Sequence, residues 1–179
     1  RKGTLSVWIK FNDPICASGG HMIHQHYESG GNYFNLLRTV TDSNLQFHST
    51  VGGSDKIKFV TNRKFRDVSA WYHIVFAVDT TQATEANRVK IYINGVQETS
   101  FSTATYPTQN QDLKMNISGT VANINKNGDG AGMEHNCLMS HLHWIDGTQY
   151  AASDFGETDT TTGEWKIKTS PSVTYGTDG

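Results

Sequence analysis

Apolar and polar residues alternate along much of the chain, and the clearest alternation spans residues 71–95. One face of its first half carries Tyr72, Ile74, Phe76 and Val78. One face of its second half carries Val89, Ile91 and Ile93, and the other carries Arg88, Lys90 and Tyr92. A period of two residues is typical of a half-buried β-strand. Asn94-Gly95 matches a type I′ hairpin turn, because both residues tolerate positive φ. The segment therefore predicts two antiparallel strands and the start of a third.

Further short strands are predicted along the rest of the chain. They cover residues 4–11, 20–27, 32–40, 44–51, 56–65, 96–102, 113–124, 136–145 and 164–168. No segment has a sustained helical period, and a single helical turn is predicted over residues 151–156, with Ser153 as its candidate cap. Many short alternating strands predict an all-β protein, an antiparallel β-sandwich in which each sheet has one face in solvent.

Composition limits the classes of partner that are expected for this β-sandwich. The chain has 179 residues, enough for a single domain over residues 1–179, and a formal net charge of −2. No basic stripe is present, so we expect no nucleic-acid partner. No apolar run approaches the ~18 residues of a membrane-spanning helix, so we expect no membrane insertion. The first residue is Arg1 and not Met, which indicates a fragment or a processed chain.

The two cysteines leave two alternatives open. Cys16 and Cys137 are far apart in the sequence, and they can form a disulfide only if their strands are neighbours. The other alternative is two unpaired thiols, because two cysteines do not make a disulfide framework.

Three pieces of the chain carry a family resemblance. They are TLSVWIKF (residues 4–11), the block WYHIVFAVD…NRVKIYING (residues 71–95), and a late pattern of IDG (145–147), SDFGE (153–157), GEW (163–165) and YGTDG (175–179). Together they resemble the concanavalin A-like, laminin-G-like jelly-roll domains. The late pattern resembles a subgroup found in bacteriophage and other viral structural proteins, such as tail-fibre and virion-surface proteins.

The resemblance implies a jelly-roll fold of the concanavalin A-like lectin/glucanase type and a location at the virion surface, outside the cell. In that subgroup another short strand usually follows the YGT-(N/D)-G segment, whereas this chain ends at Gly179. We therefore expect the chain to be one domain of a longer polypeptide. Fibre and capsid proteins are commonly symmetric, so a homo-oligomer with other virion subunits as partners is expected by analogy.

Catalytic carboxylates are not predicted. The glycoside hydrolases of this superfamily resemble one another in an E-x-D-x-x-E strand, and retaining enzymes hold two carboxyl groups about 5–5.5 Å apart. This chain has no such run: Glu134, Asp146, Asp154 and Glu157 lie in predicted turns or loops. We expect a protein that is not an enzyme.

Two His-x-His motifs lie on predicted strands. They are His24-Gln25-His26 and His141-Leu142-His143, and the spacing places both rings of each pair on one face. His48 and His135 are further candidates. One alternative is a metal site. The other is a set of histidines that are solvated or hydrogen-bonded on a sheet, and it is favoured because no Cys or carboxylate has a fixed spacing to both pairs.

Calcium is a candidate cofactor, because many laminin-G-like domains bind it. Residues 127–130 (Asn-Gly-Asp-Gly) form an oxygen-rich loop in which Asp129 could be a ligand. The other interpretation is a glycine-rich turn.

A glycan site would need exposed aromatic rings and planar polar groups. The outward positions of the strands offer Trp8 and Tyr92, with Arg88 and Lys90 beside them, and these four are the predicted ligand-binding residues. The leading functional prediction is a non-enzymatic virion or phage surface module that binds a host-surface glycan or receptor. The alternatives are a purely architectural capsid, decoration or fibre domain and, third, a carbohydrate-active enzyme or its accessory domain.

Overall fold

Antiparallel strands make up about half of the residues that the structure describes. The computed structural model describes residues 1–15, 20–39, 42–115, 120–128, 134, 136–177 and 179. In these residues the strands are β1 (Lys2–Phe11), β2 (His21–Ser29), β3 (Asn32–Arg38), β4 (Asn44–Val51), β5 (Ser54–Lys64), β6 (Tyr72–Asp79), β7 (Val89–Ile93), β8 (Val96–Gln97), β9 (Phe101–Thr105), β10 (Val121–Ile124), β11 (Cys137–Asp146), β12 (Gly156–Thr158) and β13 (Trp165–Ile167). Two 3₁₀ turns span Glu85–Asn87 and Ala152–Asp154. Across these ranges, no helix has the length and apolar character needed to cross a membrane.

The strands form two large sheets and one small hairpin. The five-stranded sheet has the order β11-β1-β6-β7-β8, and the six-stranded sheet has the order β10-β2-β3-β4-β5-β9. β12 and β13 form a separate two-stranded hairpin, and the pairings among the described strands are all antiparallel. The predicted antiparallel β-sandwich is confirmed.

The core lies between the inward faces of the two large sheets. Ile74, Phe76, Ile91 and Ile93, which the alternation predicts to be buried, are at most 2% exposed. The Phe76 ring lies 5.2 Å from Phe34 and 5.3 Å from Phe47, between centroids, so the two sheets interdigitate. The turn that joins β7 and β8 has φ of 49° at Asn94 and 81° at Gly95, as a type I′ turn requires.

The predicted strand over residues 96–102 is two strands in different sheets. β8 ends the five-stranded sheet, and β9 belongs to the six-stranded sheet. Glu98 explains the break: its carboxylate accepts the Ser100 backbone N–H (3.0 Å) and the Arg63 Nε–H (2.9 Å). The first bond closes a turn, and the second joins that turn to β5.

Two other predicted elements are shorter than expected. Within residues 113–115 and 120–124, the part of the predicted 113–124 strand that is described, only Val121–Ile124 is a strand. The helical turn at 151–156 is a 3₁₀ turn over Ala152–Asp154. Ser153 lies inside it and does not cap it; the Asp154 carboxylate accepts the Ala151 N–H at 2.8 Å.

The outer face of the five-stranded sheet is covered, which differs from the predicted wet face. Residues 148–177 cross it and form a second apolar cluster with the sheet, in which Val75, Ile145, Ala152 and Phe155 are at most 2% exposed. The Thr4 hydroxyl donates to the Thr148 carbonyl and accepts the Tyr150 N–H, both at 2.8 Å. This segment, here called the C-terminal cover, gives the sheet a buried face on each side.

Three histidines are buried near the inner core. The rings of His24 and His26 lie 5.0 and 4.6 Å from the Trp144 ring, and their nitrogens have no hydrogen-bond partner among the described residues. Burial, joined by the charge of His26, lowers the pKa of His24 to about 3, and burial lowers the pKa of His26 to about 4. His21 faces Arg38, whose Nη2 lies 2.9 Å from His21 Nδ1. Burial and then the charge of Arg38 lower the pKa of His21 to about 4.

We expect stability to fall steeply in mild acid. Because the folded chain holds these three histidines below the ordinary pKa of 6.5, the unfolded chain binds protons first as the pH falls. The contribution of these histidines to stability is therefore fully present above pH 6.5 and is lost between about 6.5 and 3, by up to ~1.4 kcal/mol per pH unit for each histidine. Urea unfolding between pH 7.5 and 4.5 measures this slope. His26→Phe, which keeps a ring against Trp144, should make the slope shallower; an unchanged slope would contradict this account.

Candidate functional site

A cleft of about 820 Å³ opens on the outer face of the five-stranded sheet, between β1, β11 and β13. Its lining residues are Trp8, Trp71, Leu138, Met139, Ser140, Glu164, Trp165, Lys166 and Ile167. This tryptophan cleft contains three of the chain's four tryptophans. It has the size and the largely apolar lining of a small-molecule site.

Strand register brings the three tryptophans together. Trp8 on β1 is opposite Ser140 on β11 and opposite His73 on β6, so all three residues share the outer face. Trp71 immediately precedes β6, and Trp165 is the first residue of β13 in the C-terminal cover. The cleft therefore forms only where the cover meets the sheet.

Trp165 lies in a slot that two glycines create. A Cβ atom at Gly95 would lie 2.5 Å from Trp165 Cε3, and a Cβ atom at Gly156 would lie 2.5 Å from Trp165 Cζ2. Any other residue at either position would overlap the indole. Gly95 is also the second residue of the hairpin turn, so one glycine serves the turn and the slot.

His73 contacts two of the tryptophans. Trp165 Nε1–H donates to His73 Nδ1 at 2.9 Å, and the Trp8 ring stacks on the imidazole at 4.8 Å with an interplanar angle of 11°. An indole nitrogen only donates, so Nδ1 is the acceptor and the proton of the neutral ring is on Nε2. Burial, followed by the charge of His143, lowers the pKa of His73 to about 4 and keeps this neutral form.

The same tautomer decides what the Ser6–His73 pair can do. Ser6 Oγ lies 2.9 Å from His73 Nε2, a distance that a nucleophile and its general base would also have. Here Nε2–H donates to the hydroxyl, the opposite direction to proton removal. Ser6 is also fully buried. The pair is therefore a structural link between β1 and β6.

Charges at the cleft lie at one end, on the β12–β13 hairpin. Lys166 Nζ lies 3.0 Å from an Asp159 carboxylate oxygen and 3.7 Å from one of Glu157. Hydrogen bonds from the Thr162 N–H, Lys166 and the Thr161 N–H lower the pKa of Asp159 to about 2, so this carboxylate stays charged. Trp71 and Leu138 are 39% and 52% exposed and leave the other end apolar.

The four predicted ligand-binding residues do not share one place. Trp8 lines the cleft, although it is only 6% exposed. The Arg88 guanidinium donates to three loop carbonyls, those of Gln82, Ala83 and Pro107, at 2.8–2.9 Å. Tyr92 packs in the apolar cluster under the cover, and Lys90 is half-buried on the same strand. None of these three lines the cleft, and the ligand-binding role of all four residues stays a prediction.

The two His-x-His motifs do not meet. His24 and His26 point into the core. His143 points outward, and its Nδ1 shares a hydrogen bond with the Tyr175 hydroxyl at 2.7 Å. His141 is exposed and has a left-handed backbone with φ of 46°. Among the described residues, no group of three or more His, Cys, Asp or Glu could hold a metal.

Three other candidate residues lie outside the described part of the chain: Asp129, the candidate calcium ligand, Cys16 and His135. Cys137 is half-buried on β11, and burial raises the pKa of its thiol. Both the calcium site and the disulfide stay predictions.

Sequence reasoning missed Trp71, Leu138 and Trp165 as site residues. The sequence pattern indicated Trp71 and Trp165 only as residues at the start of predicted strands, and not as site residues. Leu138 could have indicated the site, because it is an apolar residue at an outward position of β11. Their convergence depends on the C-terminal cover, which no local pattern predicts.

The fold and a matching family model together define the class of this protein. The family model described as the concanavalin A-like lectin/glucanases superfamily matches residues 1–131. The chain therefore belongs to this superfamily. Trp8 and Trp71 lie within the matched residues, and the rest of the cleft lies beyond them. No curated protein sequence matches the chain significantly.

Two solved structures resemble the fold. Domain 4 of AbnA, a GH43 extracellular arabinanase from Geobacillus stearothermophilus, in complex with arabinotriose, has a TM-score of 0.52 at 19% identity over 79% of this chain. The native heptameric SAP-like pentraxin from Limulus polyphemus has a TM-score of 0.49 at 16% identity over 84% of this chain. The chain spans 58% and 66% of the two structures, respectively.

We expect Gly156→Ala to displace Trp165. The new Cβ would overlap the indole, and overpacking of this kind costs about 1–3 kcal/mol of unfolding free energy. Chemical denaturation and the emission maximum of tryptophan fluorescence measure the two effects. Gly30→Ala is the matched control, because a Cβ at Gly30 meets nothing within 4 Å. Equal stability of the two variants would show that the slot does not hold Trp165.

Proposed function

We propose that this domain is a non-enzymatic carbohydrate-binding module and that the tryptophan cleft is its binding site. The observation that carries the proposal is the convergence of Trp8, Trp71 and Trp165 on one open cleft. Aromatic rings beside a few polar groups are the chemistry that an oligosaccharide needs, because a sugar ring has apolar C–H faces and a hydroxyl edge.

The cleft offers both parts of that chemistry. Trp71 is partly exposed at the apolar end and supplies a ring face. Ser140, Glu164 and Lys166 line the cleft with groups that bond to hydroxyls. Lys166 is already paired with two carboxylates, so the described lining residues offer no unpaired positive charge to favour an acidic sugar.

The comparisons support oligosaccharide binding without naming the sugar. Superfamily membership places the chain among lectin- and glucanase-like folds. Domain 4 of AbnA is described in complex with arabinotriose. At 19% identity that likeness concerns the fold, so the proposal depends on the cleft of this chain.

The absence of a catalytic pair at the cleft supports a non-enzymatic role. Glycoside hydrolysis commonly needs two carboxyl groups across the scissile bond. Among the described residues that line the cleft, Glu164 is the single carboxylate. The Ser6–His73 pair has the wrong proton direction for nucleophilic catalysis.

The wider setting that we propose is the surface of a virion or phage particle, with a host-surface glycan or receptor as partner and a homo-oligomer as the assembled form. Its support is the resemblance of the late IDG, SDFGE, GEW and YGTDG segments to viral structural proteins. In this setting the domain is extracellular and contacts other virion subunits.

A purely architectural role is the second candidate. It is favoured by Leu138 and Trp71, which together leave large apolar surfaces exposed at one end of the cleft. Exposed apolar patches also mark protein–protein interfaces. In this case a neighbouring subunit, and not a sugar, would cover the tryptophans.

We expect Trp71→Ala to weaken glycan binding at least tenfold, because it removes the most exposed ring of the cleft. Trp71→Phe, which keeps a smaller ring, should retain part of the affinity. Val96→Ala is the control, because Val96 is an exposed apolar residue outside the cleft. A glycan array followed by calorimetry with the bound sugars, arabinotriose included, gives the affinities.

Other outcomes separate the candidate functions. Wild-type protein that binds no glycan but forms an oligomer that Trp71→Ala dissociates would establish the architectural role instead. Hydrolysis of laminarin or an arabinan would overturn the non-enzymatic proposal. Glycan binding that Trp71→Ala leaves intact would show that the binding site lies outside the cleft.

A further inference from the structure

We propose that His73 is the positioning residue of the tryptophan cleft: it fixes Trp8 by stacking and Trp165 by a hydrogen bond, so that one buried imidazole sets the distance between two walls of the site. The inference rests on the proposed function only for its effect on binding. The positions of the two indoles test it separately.

Trp8 depends on the stack. Its indole nitrogen is buried and has no hydrogen-bond partner among the described residues. The Trp8 ring stacks on the His73 ring, nearly parallel to it, with the centroids 4.8 Å apart. Within the described part of the chain no polar bond fixes the rotation of this indole, so the flat face of His73 defines where it lies.

Trp165 depends on the hydrogen bond. Gly95 and Gly156 shape the slot around the indole, but a slot alone permits the ring to slide in its own plane. The hydrogen bond from Nε1–H to His73 Nδ1, 2.9 Å long, prevents this sliding. The two rings are also close to parallel, with centroids 6.0 Å apart and an angle of 21°.

His73 is itself held rigidly from three sides. Its side chain is fully buried, and Nε2–H donates to Ser6 Oγ at 2.9 Å. Its backbone N–H donates to Asn94 Oδ1 at 2.7 Å, and its carbonyl accepts the Asn94 N–H at 2.9 Å. Asn94 precedes Gly95, so the turn that forms the Trp165 slot also holds the histidine that completes it.

The neutral tautomer is required for this role. A protonated ring would place a hydrogen on Nδ1 and remove the acceptor for Trp165. Titratable groups on the neighbouring elements include His143 on β11, Tyr92 on β7, Lys166 on β13 and Glu164, which precedes β13. His143 is the group whose charge opposes protonation of His73, and burial acts in the same direction.

Two substitutions separate the two links. His73→Gln retains an acceptor for Trp165 and a donor for Ser6 but has no ring for Trp8. His73→Phe retains a ring for Trp8 but has no acceptor for Trp165. With ¹⁵N-labelled tryptophan, we expect the Trp165 indole N–H resonance to move and its hydrogen exchange to accelerate about three- to tenfold in His73→Phe, and to stay near wild type in His73→Gln.

The affinity for arabinotriose and for the sugars found on the array should fall about three- to tenfold in His73→Phe. His48→Gln is the matched control, because it removes a buried histidine from the six-stranded sheet, away from the cleft. Sugar binding that is equal in wild type and His73→Phe, with an unmoved Trp165 signal, would overturn the inference. Wild-type protein that binds no sugar would instead overturn the proposed function, and the indole signals would still test His73.

A measurement on the wild-type protein covers the case in which a variant fails to fold. The ¹⁵N shifts of the His73 ring report its tautomer directly. We expect a neutral ring with the proton on Nε2 at pH 7. A proton on Nδ1 would contradict the bond to Trp165 and would overturn the inference.

Discussion

The structure depends on one constraint: both faces of the five-stranded sheet are largely buried. Its inner face packs against the six-stranded sheet, and its outer face presents Val75 and Ile145, which water cannot solvate favourably. The C-terminal cover removes that surface from solvent. The cover stops short of Trp8 and Trp71, and the cleft is the gap that remains at its edge. The candidate site is thus a consequence of how a second hydrophobic layer is completed.

The contacts that fasten the cover are also the contacts that shape the site. Trp165 enters the slot beside Gly95, its nitrogen bonds to His73, and its neighbours line the cleft. Stability and recognition therefore share residues, which is common where binding groups must be held in one geometry. The β12–β13 hairpin and its loop carry three carboxylates, those of Glu157, Asp159 and Glu164, against the one ammonium of Lys166, so this end of the cleft is net negative.

Local patterns were sufficient for the sandwich and insufficient for the site. The alternation over residues 71–95 reports burial directly, because each residue faces the core or turns away from it. The same alternation indicates only weakly that the outer face is covered. Its one sign is that His73, Val75 and Ala77, which alternate with the core residues of β6, are largely uncharged. The split of residues 96–102 depends on the contacts of Glu98 with Arg63. The Trp165 slot joins Gly95 to Gly156, and no short-range period connects positions so far apart in the chain.

The pairing of β1 has a consequence for how the chain acquires its structure. β1 lies between β6 and β11, so it gains its second partner only when residues 137–146 have emerged. The cover follows later still. Folds built on such distant pairings form slowly, and their unfinished states expose apolar strands. During synthesis the outer faces of β1 and β6 stay exposed until residues 148–177 have emerged, so a polypeptide stopped after β11 would present an exposed apolar sheet face prone to aggregation.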